Sequence, residues 1–248
     1  MVCATGLSMA LILLSGCSSA TRDHGEIVLD KTAVPTDAKT ANVTKEKGCP
    51  AGGASIPAEA GVAKGGDLDG DGNNDTIWLG FDKQGKQLLG VETASGARFS
   101  THFSTVSDVD RRGSSVWADR LGDGTVVMLL DTGFQVRLYA VVDCSIVVSR
   151  NIQGKQYTFD KGKLGYGTGV SCPVIGASGR HLVGYLAQAK SGRFSVSQTV
   201  INLSQGGRKA TNGTTTLLGS DLSRYAQRVL QAQNVDCGDS HQAEEQAS

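Results

Sequence analysis

The sequence lacks net charge, because its 24 Lys and Arg residues balance 24 Asp and Glu residues. A protein that binds nucleic acid needs a basic face for the phosphates, so this balance argues against that class. Aromatic residues are also scarce, at 5% of the chain. A platform on which unpaired bases stack is therefore not expected either. We expect no nucleic-acid partner.

The sequence also lacks the motifs of common catalytic sites. It contains no G-x-S-x-G nucleophile elbow, no H-E-x-x-H motif and no Walker A loop. No helix signal follows the Gly-rich stretch from Gly162 to Gly169, and we predict a loop there. We therefore predict that the protein has no catalytic residues and is not an enzyme. One alternative stays open, a carboxylate-based hydrolase or carbohydrate-active protein of the cell envelope that uses acids such as Asp108, Asp110 and Asp119.

The apolar run at the N-terminus is too short to span a bilayer. It extends from Leu7 to Leu14, whereas a transmembrane helix needs about 20 apolar residues. Its length fits the hydrophobic region of a secretory signal. The run ends in Leu14-Ser15-Gly16-Cys17, and a polar segment follows.

These four residues resemble the lipobox of bacterial lipoproteins, in which cleavage before the cysteine is coupled to lipidation of its thiol. The resemblance implies a signal peptide over residues 1–16 and acylation, including palmitate, at Cys17. Because two or more acyl chains anchor a protein stably, we predict a protein anchored by lipid to the extracytoplasmic face of a bacterial cell membrane. The alternative is an ordinary signal peptide followed by a chance cysteine.

The cysteines agree with export. If Cys3 leaves with the signal and Cys17 is acylated, an even number remains: Cys49, Cys144, Cys172 and Cys237. In an oxidising compartment this predicts two disulfides, for which three connectivities are possible. We favour Cys144–Cys172, between neighbouring strand-like segments, and Cys49–Cys237, which would bracket the domain. A zinc site of four thiolates is the weaker alternative, because no two of these cysteines show C-x2-C spacing.

Glycine is abundant, at 33 residues, and with Ser, Thr and Val it is typical of short strands joined by tight turns. Alternating and apolar segments predict three hairpins, over 76–93, 125–142 and 181–203. They recur about every 50 residues, which is the size of a propeller blade. We predict a mostly β fold, in which antiparallel hairpins form a propeller-like or sandwich array.

Three segments are expected after the signal peptide. Residues 17–53 are polar without periodicity and predict a flexible tether, and residues 54–238 predict the β domain. Within that domain, residues 220–234 predict a C-terminal amphipathic helix, whose apolar face would hold Leu222, Tyr225, Ala226, Val229 and Leu230. The polar residues 239–248 predict a disordered tail.

The segment DLDGDGNND, residues 67–75, concentrates acids in a Gly-rich loop. Its acids stand at positions 1, 3, 5 and 9 and are Asp67, Asp69, Asp71 and Asp75. Four carboxylates this close would repel one another without a cation. With the backbone carbonyl of Asn73 they suit a hard cation that takes 6–8 oxygen ligands, such as calcium. The loop is not an EF-hand, because position 12 is Trp78 and not a bidentate Glu. The alternative is a solvated acidic turn without an ion.

This acidic pattern, followed at once by a strand, resembles the FG-GAP or VCBS-type calcium-binding repeats of integrin α-subunits and bacterial surface proteins. The resemblance implies four side-chain ligands, Asp67, Asp69, Asp71 and Asp75, and a carbonyl ligand from Asn73. A single such repeat is expected, because the second unit keeps only Asp123-Gly124 and the third only Ser178-Gly179. We expect a structural calcium in a binding or scaffolding module of the cell envelope, whose partner, a protein or a glycan, the sequence does not identify.

Overall fold

The computed structural model describes residues 48–105, 113–161 and 168–245. The predicted signal peptide, Cys17 and most of the predicted tether lie outside these ranges. The described elements, in chain order, are β1 (Gly61–Lys64), β2 (Thr76–Phe81), β3 (Gln87–Glu92), β4 (Arg98–His102), β5 (Ser115–Arg120), β6 (Val126–Asp131), β7 (Gln135–Val142), β8 (Ser145–Val148), β9 (Thr158–Asp160), β10 (Thr168–Ser171), β11 (Val183–Lys190), β12 (Arg193–Ser204), β13 (Lys209–Leu222), α1 (Gln227–Gln231) and β14 (Ala243–Glu244).

The strands form three antiparallel sheets, which follow one another along the chain except that the C-terminal strand β14 returns to the middle sheet. The first sheet has the order β1-β2-β3-β4, and the third has the order β10-β11-β12-β13. The middle sheet has the order β14-β5-β6-β7-β8, with β9 paired to β7. The prediction of a mostly β protein built from antiparallel hairpins is confirmed. Each predicted hairpin is the central pair of one sheet: β2–β3, β6–β7 and β11–β12.

The middle sheet is buried on both faces. Val126, Met128 and Leu130 of β6 belong to a first core shared with the first sheet. Val127 and Leu129 belong to a second core shared with the third sheet. Because successive side chains of a strand point to opposite faces, a strand between two cores must be apolar at every position. This explains the continuous apolar run in β6, and burial of both faces supplies the main driving force for packing the three sheets.

A glycine in the first sheet makes room for a tryptophan. Trp78 of β2 lies opposite Gly90 of β3 and is buried, with 3% of its surface exposed. A Cβ on residue 90 would lie 2.0 Å from the Cε2 and Cζ2 atoms of the indole. The ring therefore occupies the space that any other residue at position 90 would need.

The predicted C-terminal helix is wrong over most of its length. Residues up to Leu222 continue β13, where Leu222 pairs with Phe194, and only Gln227–Gln231 form a helix. Leu222, Ala226 and Val229 nevertheless pack in one small third core. Tyr225 and Leu230, assigned to the same face, are 77% and 48% exposed. Three of the five residues assigned to the apolar face are therefore in the core, and pairing with the neighbouring strand β12 overrode the helical periodicity. Among the described residues, no helix is long and apolar enough to span a bilayer.

The predicted disulfide connectivity is also wrong, although all four cysteines are bridged. The bonds join Cys49 to Cys144 and Cys172 to Cys237. The second pairing follows from a parallel contact, in which Val170 of β10 lies beside Val235. Cys172 and Cys237, each two residues further on, therefore meet in the second core. Such contacts between distant segments leave no local sequence signal.

Both ends of the predicted domain need correction. Cys49, assigned to the tether, is buried, and Gly52 exchanges backbone hydrogen bonds with Gly96 and Arg98. At the other end, residues 239–245 are not a disordered tail. Ala243 pairs with Val116 as part of β14 and is buried. Residues 246–248 lie outside the described ranges.

Candidate metal centre

The acidic loop connects β1 to β2 and is closed at its base by backbone hydrogen bonds. The N–H of Gly65 donates to the carbonyl of Asp75 at 2.8 Å, and the N–H of Asp75 donates to the carbonyl of Gly66 at 3.0 Å. Within the loop, Gly70 and Gly72 have φ values of +86° and +94°. Glycine adopts this left-handed region without the steric penalty of a Cβ, which lets the loop turn tightly.

Three carboxylates converge in this loop. Side-chain oxygens of Asp67, Asp69 and Asp71 all lie within 4.8 Å of one another, and the three residues are half-buried. The donor set consists of hard, anionic oxygens, which are the ligands that divalent cations such as calcium and magnesium prefer. The triad could therefore hold a metal ion, and its residues fit one.

Backbone N–H groups hold the three carboxylates in place. Asp67 accepts from Gly70 at 2.6 Å and from Gly72 at 3.2 Å. Asp69 accepts from the N–H of Asp71 at 3.2 Å, and Asp71 accepts from that of Asn73 at 2.7 Å. These Asx-type contacts fix the side chains that the spacing of acids at alternate positions brings together. They also offset part of the repulsion between the charges.

Asp75 lies apart from the triad. Its side chain is buried, and its two oxygens accept hydrogen bonds from the N–H groups of Leu68, at 2.6 Å, and Ala94, at 2.9 Å. It thereby joins the acidic loop to the turn between β3 and β4. Burial raises the pKa of Asp75 from its ordinary value of 3.8 to about 6. The charges of Asp69 and Asp71 act in the same direction.

Asn73, the other predicted ligand, is exposed at the tip of the loop. Its backbone N–H donates to the side chain of Asp71. The role of its carbonyl as a metal ligand stays a prediction. The structure thus brings together three of the five predicted ligands, Asp67, Asp69 and Asp71. It uses Asp75 to hold the loop against the rest of the first sheet.

An arginine from the middle sheet, not foreseen from the sequence, reaches the acidic loop. The Nε of Arg120 donates to the carbonyl of Asp67 at 2.9 Å, and its Nη2 lies 3.6 Å from Asp67 Oδ1. A guanidinium at this distance lowers the net negative charge of the triad. Because 53 residues separate the two groups, no local pattern could have predicted the contact.

The first disulfide lies directly against the triad. The backbone N–H of Cys49 donates to Asp69 Oδ2 at 2.8 Å, and the carbonyl of Cys49 accepts from the hydroxyl of Ser95 at 2.7 Å. The other end of the disulfide, Cys144, lies in the turn between β7 and β8 of the middle sheet. The segment at Cys49 therefore packs against the acidic loop, and the disulfide fixes it to the middle sheet.

Of the carboxylates considered for hydrolysis, only Asp119 lies among the described residues. Asp119 is 8% exposed and accepts hydrogen bonds from the N–H groups of Arg120, at 2.7 Å, and Asp239, at 3.2 Å. Arg180 also lies 3.5 Å from it. These contacts tie β5 to the C-terminal segment, which is a structural use of the group. Asp108 and Asp110 lie outside the described residues.

Comparison with known proteins identifies no relative. No protein-family model matches the chain, and neither a curated protein nor a solved structure matches it.

Proposed function

We propose that this protein is a lipid-anchored, extracytoplasmic binding or scaffolding module whose first sheet is stabilised by a structural calcium ion. The observation that carries the proposal is the convergence of Asp67, Asp69 and Asp71 within 4.8 Å in a loop shaped by two glycines. All three come from one loop at the start of β2. An ion held there would fix that loop against the sheet.

Calcium is favoured over softer metals by the chemistry of the ligands. Calcium takes 6–8 oxygens in flexible geometry, whereas zinc in structural sites is held by thiolates and imidazoles. The three carboxylates supply hard oxygens, and the Asn73 carbonyl and water would complete the shell. The resemblance of the loop to FG-GAP or VCBS-type repeats supports the same ion.

Two further features support the location. Both disulfides, Cys49–Cys144 and Cys172–Cys237, are of the kind that persists outside the reducing cytoplasm. The hydrophobic N-terminal run ending in Leu14-Ser15-Gly16-Cys17 supports export with lipidation. A protein held by acyl chains on Cys17 would present the β domain outside the membrane, which suits a binding role.

Calcium is expected to raise the melting temperature of protein stripped with EDTA. At a hundredfold excess over Kd, a ligand that binds only the folded state contributes about 2.7 kcal/mol. For a domain of this size that corresponds to about 5 to 10 °C. Asp69→Asn removes one charge from the triad and should abolish most of the rise, which differential scanning calorimetry would measure.

The matched control is Asp123→Asn. Asp123 lies in the corresponding turn before β6, where it accepts one N–H, from Thr125 at 2.9 Å. This variant should keep the full response to calcium. Identical melting curves of the wild type in calcium and in EDTA would refute the calcium site, and a response to magnesium alone would assign the triad to a different ion.

Lipidation is tested by feeding an alkynyl palmitate analogue to a bacterial host that expresses the full chain. The wild type should carry the label and sediment with membranes, and Cys17→Ala should lose both properties. Cys3→Ala is the matched control, because residue 3 lies within the predicted signal peptide and the variant should stay labelled. An unlabelled wild type in the soluble extracellular fraction would instead favour an ordinary signal peptide.

A further inference from the structure

A groove extends along both sides of the turn formed by residues 151–155. It consists of two adjoining cavities of about 630 Å³ and about 730 Å³. Both are lined by Asn151, Ile152 and Thr211, so they adjoin at this turn. Each volume lies within the range of small-molecule sites. Two adjoining cavities of this size suit a ligand made of several units.

The first cavity offers an aromatic ring and side-chain amides. Tyr157 is half-buried and packs edge-on against Phe159, with 5.2 Å between the ring centroids. Its hydroxyl donates to Asn212 Oδ1 at 2.5 Å. Among the described residues, the Asn212 amide nitrogen has no hydrogen-bond acceptor, which leaves its N–H groups for a ligand. Burial raises the pKa of the Tyr157 phenol, so the group stays a neutral donor.

These groups match the chemistry of a sugar. Carbohydrates present hydroxyls, which pair with amides and phenols, and C–H faces, which pack on aromatic rings. Thr158, Thr199 and Thr211 add hydroxyls to the same cavity. Asp160 is the charged residue of its lining, which contains no lysine or arginine. This half of the groove therefore suits an uncharged, hydroxylated ring and not a second anionic group.

The second cavity is cationic. Arg150, Arg208 and Lys209 line it. Arg208 is paired with Asp143, at 3.1 Å. Arg150 donates to the carbonyl of Gly154 at 2.7 Å, and neither it nor Lys209 forms an ion pair with any described residue. Two cations of one cavity that no described residue pairs favour a carboxylate or phosphate as the ligand.

The two halves are held together by backbone hydrogen bonds. The N–H of Arg150 donates to the carbonyl of Arg208, and the N–H of Ala210 donates to that of Arg150, both at 2.9 Å. The hydroxyl of Ser149 also donates to the carbonyl of Gly207 at 2.6 Å. The cationic and amide groups thus stand on connected elements and need little ordering when a ligand binds.

We propose that this groove binds an acidic oligosaccharide, with a sugar ring at Tyr157 and Asn212 and its carboxylate or phosphate at Arg150 and Lys209. The inference gives a ligand class to the proposed binding role. It depends on neither the calcium ion nor the lipid anchor, so its failure would leave both in place. A membrane surface is the other anionic candidate, since Ile152 is 81% exposed beside the cations. The concave shape and the amides favour the glycan.

The test is retention of the full chain carrying Cys17→Ala, in buffer containing calcium, on an array of immobilised oligosaccharides with neutral, carboxylated and phosphorylated members. We expect retention of acidic members and at least tenfold weaker retention of neutral ones of equal length. Retention should fall as salt is raised, because part of the contact is electrostatic. No acidic member retained above the neutral ones would overturn the proposal. So would binding to vesicles containing phosphatidylglycerol without binding to any oligosaccharide.

Two variants separate the two halves of the groove. Lys209→Gln should lower affinity for acidic members roughly threefold to tenfold, the loss of one charge-assisted contact, and weaken the salt dependence. Asn212→Ala should lower affinity by a similar factor and leave the salt dependence unchanged. Lys190→Gln is the matched control, because Lys190 is an exposed lysine outside the groove. Equal effects of Lys190→Gln and Lys209→Gln, at unchanged melting temperature, would show general charge attraction and contradict the site.

Discussion

Replacing Cys172 and Cys237 together by alanine is expected to lower the free energy of unfolding by about 5 kcal/mol. The disulfide spans a sequence separation of 65 residues, and constraining a loop of that length in the unfolded chain accounts for about 4 kcal/mol. Both cysteines are also buried, with 1% and 0% of their surface exposed. Removing the two sulfur atoms leaves space in the second core, which adds to the loss. Urea denaturation with a linear extrapolation would measure the change.

The double variant Cys49→Ala/Cys144→Ala is the control for this prediction. Its disulfide spans a longer separation of 95 residues, so loop closure alone would make its removal at least as costly. Cys144 lies in a half-buried surface turn, however, and contributes less to a core. We therefore expect the Cys172/Cys237 variant to be less stable by roughly 1 kcal/mol. The opposite order would show that core packing around the buried disulfide contributes little.

Replacing Gly90 by alanine is expected to lower the free energy of unfolding by about 3 kcal/mol. The added methyl group would overlap the Trp78 indole, because its Cβ would lie 2.0 Å from two ring carbons. The ring cannot swing away freely, since it is buried beside the first core and only 3% exposed. The collision must therefore displace the indole or separate β2 from β3. The same denaturation experiment measures the loss.

A double-mutant cycle tests the cause of this loss. In a Trp78→Leu background the indole is absent, and Gly90→Ala should then cost less than about 1 kcal/mol. The coupling between the two positions would be about 2 kcal/mol. An equal loss of stability in both backgrounds would show that Gly90→Ala acts through the backbone of β3 and not through contact with the indole.

The candidate metal centre shows how much of a site the local spacing of residues can predict. Acids at alternate positions, interrupted by Gly70 and Gly72, were sufficient to predict that Asp67, Asp69 and Asp71 converge, because all the geometry lies within one loop. Asp75 follows the same spacing, but contacts with Leu68 and Ala94 hold it elsewhere. The fold thus decided which acids of one motif are available to an ion.

Contacts from distant segments decided the surroundings of the triad. Arg120 and Cys49 reach the acidic loop from positions 53 and 20 residues away from their partners. The groove beside residues 151–155 likewise combines β9, the turn before it and the outer strand β13. The residues adjacent to these groups in the sequence form no motif that would identify them. Sequence patterns could therefore not identify the groove at all.

By itself, the sequence determined the elements whose cause is local: three central hairpins, set by apolar runs around tight turns, and an acidic loop, set by alternating aspartates and glycines. Only the tertiary structure decided the outer strands, the disulfide partners and the continuation of β13 through Leu222. A turn or a loop depends on a few adjacent backbone angles. Strand partners and cysteine pairs depend on which surfaces are buried together, and that is fixed only when the three sheets pack.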